Sequence, residues 1–506
     1  MSSPSEPTPA SGSTAPPGPT PESGIPVVVT GPERTTGQPP LKRVMGPGLL
    51  LLFIVGDILG TGIYALTGKV AGQVGGAVWL PFLVAFAVAM LTAASYLELV
   101  TKYPRAGGAA VYTHRAFRVH FLTFLVAFTV MASGLTSASS ASIAFASNLN
   151  QAVNLDLASG TWPLIGIALC FITAVAVINL RGVSESVRLN VVLTCVELSG
   201  LLIIIAIGAW AISQGQGDFS RAGQLDVKEG ESPFRAVTAA TALAFFALVG
   251  FEDSVNMAEE TKNPVKIFPK IMLTGLVITG VVYVLVAIAS VTLVSPEDLG
   301  EGETPLLKVV AAGAPAFPVW IFAFITMFAV ANSALINMLM ASRLLYGMAH
   351  EQVLPPVLGR VLPGRRTPWV AIVFTSLIAF GLIAFADLAT LGGTTSLLLL
   401  AVFTVTNIAV LVLRKDPAEH RHFRAPTVIP ILGALCCAFL VSPLSGRATS
   451  DYRVAAVLLV VGVALWALHW GVNRILFHRG NRPENIDWLS GHPDDLPRQR
   501  EGRPYP

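Results

Sequence analysis

A Gly60-Thr61-Gly62 triplet interrupts an apolar run that begins near residue 45, and Asp57 stands one turn before it. A second run closes on Phe246-Ala247-Leu248-Val249-Gly250, followed within two residues by Glu252 and Asp253. A break in an apolar helix frees backbone N–H and C=O groups that hydrocarbon cannot satisfy. A bound polar molecule can satisfy them. The half-helix that starts at Thr61 would aim its unpaired amides and positive dipole end into the break, a cradle for a carboxylate. Glycine lets the backbone approach such a ligand without a Cβ in the way. The carbonyls before Gly250 would accept hydrogen bonds from an ammonium group. One anion cradle and one cation cradle together describe the head group of a zwitterionic α-amino acid. For either glycine motif alone, close packing between helices is the commoner use. Their occurrence at matched positions, with acids beside the second, favours the ligand.

The elements that must hold these residues are written in the composition. Of 506 residues, 53% are hydrophobic and 12% charged, where a soluble chain carries roughly a quarter charged. Mean hydropathy is +0.67. Continuous apolar runs of about 20 residues, each long enough to cross a bilayer as a helix, indicate a polytopic all-α membrane protein and argue against a β-barrel. Twelve spans are expected near 45–75, 77–101, 119–148, 162–181, 188–213, 235–260, 268–294, 316–348, 368–386, 389–413, 426–444 and 453–477. The loops after even-numbered spans carry Lys102, Arg105, Arg115 and Arg118; Arg181 and Arg188; Lys262, Lys266 and Lys270; Arg360, Arg365 and Arg366; and Arg414, Lys415, Arg421 and Arg424. Opposite loops are poorer in Lys and Arg and often acidic, as at Glu297, Asp298, Glu301 and Glu303. The positive-inside rule then puts both termini in the cytoplasm.

Spans 1 and 6, the two interrupted ones, occupy corresponding places in two successive five-span sets. An odd number of spans per set inverts the second copy, and paired breaks in inverted repeats point to a transport site at the bilayer midplane. Cys170, Cys195, Cys436 and Cys437 lie in apolar runs without CxxC spacing, so neither disulfide nor metal roles are expected. No cofactor is expected. A nucleophile–base pair, a metal cluster and a phosphate loop are all lacking in the sequence, which speaks against an enzyme; nucleic acid is not expected as a partner. The chain divides into an unstructured tail (1–42), a ten-span core (43–414), two further spans (415–478) and a C-terminal tail (479–506).

The stretch Gly56-Asp57-Ile58-Leu59-Gly60-Thr61-Gly62-Ile63-Tyr64 resembles the first helix of the amino acid–polyamine–organocation superfamily. Phe245 to Pro269 is similar to that family's sixth helix and following loop, with its Glu-Glu and Lys-Asn-Pro elements. Tyr103-Pro104-Arg105-Ala106-Gly107-Gly108 resembles the element after helix 2, and Ala341 to Ala349 with Leu354-Pro355 and Thr367-Pro368 the end of helix 8 and its loop. The likeness covers residues 40–415 and is nearest to bacterial cationic-amino-acid-transporter-like members. It implies a LeuT-type fold: a 5+5 inverted repeat with two additional C-terminal helices, working by alternating access. It also implies an amino acid substrate held at Gly60, Thr61 and Gly62 (carboxylate) and around Ala247, Leu248, Val249 and Gly250 (amino group). Phe246 matches the family's aromatic gate.

Proton-coupled relatives place a lysine in helix 5 where this chain has Glu197 or its immediate neighbour. Asp57 stands where relatives carry a small residue. The expected coupling site therefore comprises Asp57 and Glu197, completed by Asn332 or Ser333, and would hold a proton or Na+. The alternatives are a structurally hydrogen-bonded Glu197, an Asp57 paired to a helix-8 amide, or an Asp57 that meets a second amine on the substrate. The resulting expectation is a proton-coupled amino acid importer of the bacterial inner (plasma) membrane, embedded in the lipid bilayer. An exchanger without ion coupling and a non-transporting sensor are the competing readings.

Overall fold

The first apolar run folds as two helices. In the computed structural model, which describes residues 45–477 apart from 105–107, 182–185, 228, 259, 351–352, 363–364, 366 and 419, α1 spans Pro47–Ile58 and α2 spans Thr61–Val74. Side chains of 186–190 and 472–477 are not described. The expected tails, Arg105, Glu259, Arg366 and the Arg188 side chain fall outside the described set. Pro47 at the first helical position starts α1, its fixed φ suiting that position. The helix ends where the Leu59 N–H reaches back to the Val55 carbonyl, and Gly60 is extended (ψ −150°) before α2 begins.

The remaining helices are α3 (Trp79–Lys102), α4 (Gly108–Phe117), α5 (His120–Ala152), α6 (Trp162–Arg181), α7 (Ser186–Ser213) and α8 (Pro233–Ala244). They continue with α9 (Pro264–Leu293), α10 (Pro296–Gly300), α11 (Pro305–Gly313), α12 (Val319–His350), α13 (Trp369–Phe385), α14 (Leu388–Leu413), α15 (Val428–Val441) and α16 (Thr449–Phe477). Among the described residues nine helical stretches are long and apolar enough to cross a membrane, and two shorter apolar helices, α13 and α15, join them. The stretch Pro47–Lys102 holds two of the expected spans, so these elements account for all twelve. The protein is an all-helical polytopic membrane protein. Large apolar side chains such as Leu377, Leu435 and Val460 stand exposed on α13, α15 and α16, as a hydrocarbon-facing surface requires.

Within the described residues the β pairing is confined to one isolated bridge between Met45 and Thr261. The Met45 N–H donates to the Glu260 carbonyl and the Lys262 N–H to the Met45 carbonyl, both at 3.0 Å. The entry to span 1 is thereby joined to the loop after span 6, two segments that the charge pattern puts on one side.

The serine-rich part of α5 packs against α12, and there Gly134 brings α5 so near that a Cβ would lie 3.4 Å from the Asn337 carbonyl. Several of its hydroxyls return to their own helix, Ser139 to Leu135 (2.7 Å) and Ser142 to Ala138 (2.8 Å). Small residues there serve close approach of helices. At one end of α14, Arg414 donates twice to the Glu98 carboxylate of α3 (2.7 and 2.6 Å), and Asn407 meets Ser95 (2.6 Å) and Thr92 (3.2 Å) on the same helix.

Candidate functional site

Span 6 breaks as span 1 does, by a different local device. Ser232 caps α8, accepting the Arg235 N–H, and the helix tightens into a 3₁₀ turn over Phe245–Leu248. Val249 then turns extended (φ −77°, ψ 161°) and Gly250 takes φ +116°, a conformation that residues with a Cβ rarely adopt. The Gly250 N–H donates to Glu252 Oε2 at 2.8 Å. Glu252 therefore holds the turn.

The two breaks touch. A Cβ on Gly62 would run into the Ala247 backbone, and one on Gly250 would lie 2.7 Å from the Asp57 carbonyl oxygen. Glycine at both positions is what lets the interrupted segments meet backbone to backbone. Opposite them, a Cβ on Gly60 would approach Ser333 Oγ of α12 to 2.9 Å. Between these segments lies a cavity of about 40 Å³. Asp57, Gly60, Thr61, Gly62, Phe246, Val249 and Gly250 line it, together with residues of α5, α12 and α14.

Most of the residues singled out from sequence are thus brought to one place. Ala247 and Leu248 are buried beside the cavity without lining it, Ala247 being occupied by its contact with Gly62. Phe246 is 4% exposed and lies against Gly392 of α14, where a Cβ would sit 3.3 Å from its ring. It faces the cavity, away from lipid.

The free hydrogen-bonding capacity around the cavity is informative. No side chain caps α2, whose first amides belong to the cavity-lining Gly60, Thr61 and Gly62. The Thr61 hydroxyl is fully buried without a partner, as is one oxygen of Asp57. At the opposing end of α1, the Ile58 carbonyl accepts from Tyr283 Oη of α9 at 2.6 Å. Tyr283 thus replaces the helical donor that the break removed. Nothing local in the sequence around Tyr283 marks this role, since its partner lies 225 positions away.

Glu197 lies behind the cavity. It is completely buried; Asn332 Nδ2 stands 3.5 Å from one carboxyl oxygen, and the other oxygen lacks a partner. Its backbone carbonyl accepts from Tyr64 Oη at 2.5 Å, and Thr194, one turn earlier on α7, closes on Gly56 of α1. Asn332 of α12, the eighth span, therefore faces Glu197, while Asp57 faces the cavity. Ser133, Ser137, Ser333 and Asn337 also line the cavity; Ser333 is a candidate from the sequence, and Ser133 and Ser137 belong to a serine-rich segment that suits close helix packing first and a polar wall of the substrate path second. Asn337 is of a type common in packed membrane helices, and only the fold selects it. Among the described residues no group of three or more His, Cys, Asp or Glu side chains is arranged to hold a metal ion.

Comparison with known proteins agrees with this architecture. Residues 49–467 match the family model described as amino acid permease. The chain is 27% identical to the branched-chain amino acid permease BcaP of Bacillus subtilis (strain 168), covering 86% of this chain and 94% of that one. It is 28% identical to the methylthioribose transporter of the same organism, over 85% and 94% of the two chains. Cationic amino acid transporter 4, vacuolar, of Arabidopsis thaliana is 28% identical over 76% of this chain and 66% of its own. With the family model spanning most of its length, this chain belongs to the amino acid permease family and is a multi-pass membrane transporter.

Proposed function

We propose that the protein carries an α-amino acid across the plasma membrane by alternating access, with uptake driven by protons. The observation that carries this reading is the meeting of two broken spans around one cavity. The unpaired amides of α2 face it from one side and the Val249–Gly250 turn from the other. In this reading the amides of Gly60, Thr61 and Gly62 hold the substrate carboxylate. The backbone from Phe246 to Gly250 holds its ammonium group, and Phe246 closes the outer side by resting on Gly392. The relatives' names include branched-chain and cationic amino acids as well as methylthioribose. Family membership thus sets the class of activity, and the side-chain preference belongs to this chain's own lining.

Asp57 and Glu197 form the coupling pair, with Asn332 steadying Glu197. Neither carboxyl has a basic partner among its described hydrogen bonds, and a buried carboxylate without a counter-charge is held at low cost only when protonated. The basic loops support a reading with both termini in the cytoplasm, residues 43–414 as the transport core and 415–478 as two added spans.

Uptake in proteoliposomes under imposed pH or Na+ gradients tests the coupling. Accumulation should follow the proton gradient, and Glu197→Gln should lose that dependence while keeping exchange of internal for external substrate. Unchanged proton dependence in Glu197→Gln would remove Glu197 from the mechanism; accumulation that follows Na+ alone would replace the proton.

A further inference from the structure

Ala242 stands in the last turn of α8, four residues before Phe246, and its carbonyl is met by two side chains from other elements. Ser396 Oγ of α14 donates to it at 2.6 Å, and Arg447 Nη2 donates to it at 3.4 Å. Arg447 is carried by the connection between α15 and α16, in the two spans that follow the ten-span core. Its side chain is 1% exposed. The other arm of the guanidinium, Nη1, donates to the Gly393 carbonyl of α14 (2.6 Å), to Ser396 Oγ (3.0 Å) and to Asp451 (3.3 Å). Nε donates to the Leu440 carbonyl at the end of α15 (3.3 Å). One rigid fork thus spans α8 and α14.

The connection is seated for this reach. Thr238 Oγ1 of α8 donates to the Ser445 carbonyl at 2.9 Å, and Gly446 comes so near α8 that a Cβ would lie 2.7 Å from the Arg235 side chain. On the other flank Gly393 lies against the Asp451 carboxylate, and Thr390 Oγ1 donates to Ser450 Oγ at 3.2 Å. The starts of α8, α14 and α16 all follow odd-numbered spans, so the charge pattern puts these contacts on the outer side of Phe246. That ring rests on Gly392, the residue before Gly393. To admit a solute from the outer face, Phe246 must leave Gly392, and the outer ends of α8 and α14 must part. An arginine that served only as an anchor would satisfy itself within one of these elements. Arg447 divides its donors between the two that must separate.

We propose that Arg447 and Ser396 are positioning residues that clasp the outer closure, holding Phe246 over the central cavity until their bonds to the Ala242 carbonyl break. Outward opening exchanges these bonds for water, so the clasp sets the share of molecules that face outward. The two spans added to the core thereby take part in gating. The inference rests on the alternating-access reading above, and its test needs no substrate.

Ser137 of α5 lines the central cavity. The full chain with its native cysteines, carrying Ser137→Cys, is labelled with 2-(trimethylammonio)ethyl methanethiosulfonate, a fixed cation that does not cross the bilayer. Right-side-out vesicles give the rate from the outer face and inside-out vesicles the rate from the cytoplasmic face, each read by mass spectrometry of the residue-137 peptide. Ser396→Ala removes the shorter bond to Ala242. It should raise the outer rate roughly threefold to tenfold, the factor that one or two lost net hydrogen bonds supply, with no rise from the cytoplasmic face. Arg447→Lys keeps a charge beside Asp451, so loss of fold is not expected. A single ammonium does not bridge Ala242 and Gly393 as the fork does, and the outer rate should rise here too. Ser376→Ala removes a buried hydroxyl bonded within α13 (2.7 Å) and should leave both rates at the parent value. Clasp variants that label at the parental rate from outside, or faster from both faces alike, overturn the inference and leave the transport reading standing. A rise of the same size in Ser376→Ala overturns it as well. If the outer rate rises as stated and amino acid uptake is absent, the transport reading fails alone.

Discussion

Gly62 and Gly250 hold the two breaks against each other, each for a different reason. At Gly62 the constraint is space, because a methyl group would collide with the Ala247 backbone; at Gly250 it is also conformation, at φ +116°. Gly62→Ala is therefore expected to cost about 1–3 kcal/mol through overpacking, and Gly250→Ala a similar amount through backbone strain. Both should abolish substrate-induced stabilisation in a thermal unfolding assay, and wild-type ligand response in Gly62→Ala would show that the close approach is dispensable. Tyr283→Phe removes the donor on the Ile58 carbonyl and leaves a buried acceptor bare, an expected loss of about 1–3 kcal/mol. An unchanged unfolding midpoint would contradict the cap. The glycines were legible in the sequence because glycine and acids are out of place in an apolar run. Tyr283 was not, because a tyrosine in α9 breaks no local pattern and its partner is far away in the chain.

Charges at the element ends show a similar division. Arg414 counts toward a basic loop when the sequence is read for topology, yet the fold gives it the buried Glu98 carboxylate, which is 2% exposed. Arg414→Ala should destabilise by about 3–5 kcal/mol, since it strands a buried charge. Adding Glu98→Gln should restore much of that loss in denaturation measurements. No recovery in the double variant would mean that the pair is not the source of the loss.

At the other face, the α10–α11 hairpin is fastened by Ser147 of α5, which donates to Glu303, and by Lys69, which donates to the Gly300 carbonyl at 3.0 Å. Burial pushes the Glu303 carboxyl above its usual range, the Ser147 hydroxyl and Lys69 pull it back, and Asp387 adds to the rise. The folded chain thus holds this proton more tightly than the unfolded chain. Stability from this group is present below the ordinary glutamate value and is lost as pH rises through the raised one. Glu303→Gln removes that loss, so its midpoint relative to wild type should improve as the pH is raised from the ordinary glutamate range toward neutral. A constant offset across that range would count against an upward-shifted Glu303.

For the molecule as a whole, the twelve spans and the pairing of the breaks could be read from hydropathy and from two misplaced glycine motifs. The Met45–Thr261 bridge joins two segments that the charge pattern assigns to one face. What depends on three-dimensional packing, such as Arg447 donating to the carbonyls of Ala242 on α8 and Gly393 on α14, carries no sequence signal beyond residue type, whereas Asn332, expected beside Glu197 from the sequence, does face it. The central claim is that the two breaks form one zwitterion cradle. Equilibrium ligand stabilisation of the purified protein tests it most directly, using a screen of amino acids followed by the best binder's amide and its des-amino acid. At 100 times its Kd the amino acid should add about 2.7 kcal/mol, and both analogues should lose most of that effect, because each leaves one cradle unfilled. An amide or a des-amino acid that stabilises as well as the parent amino acid would contradict the account.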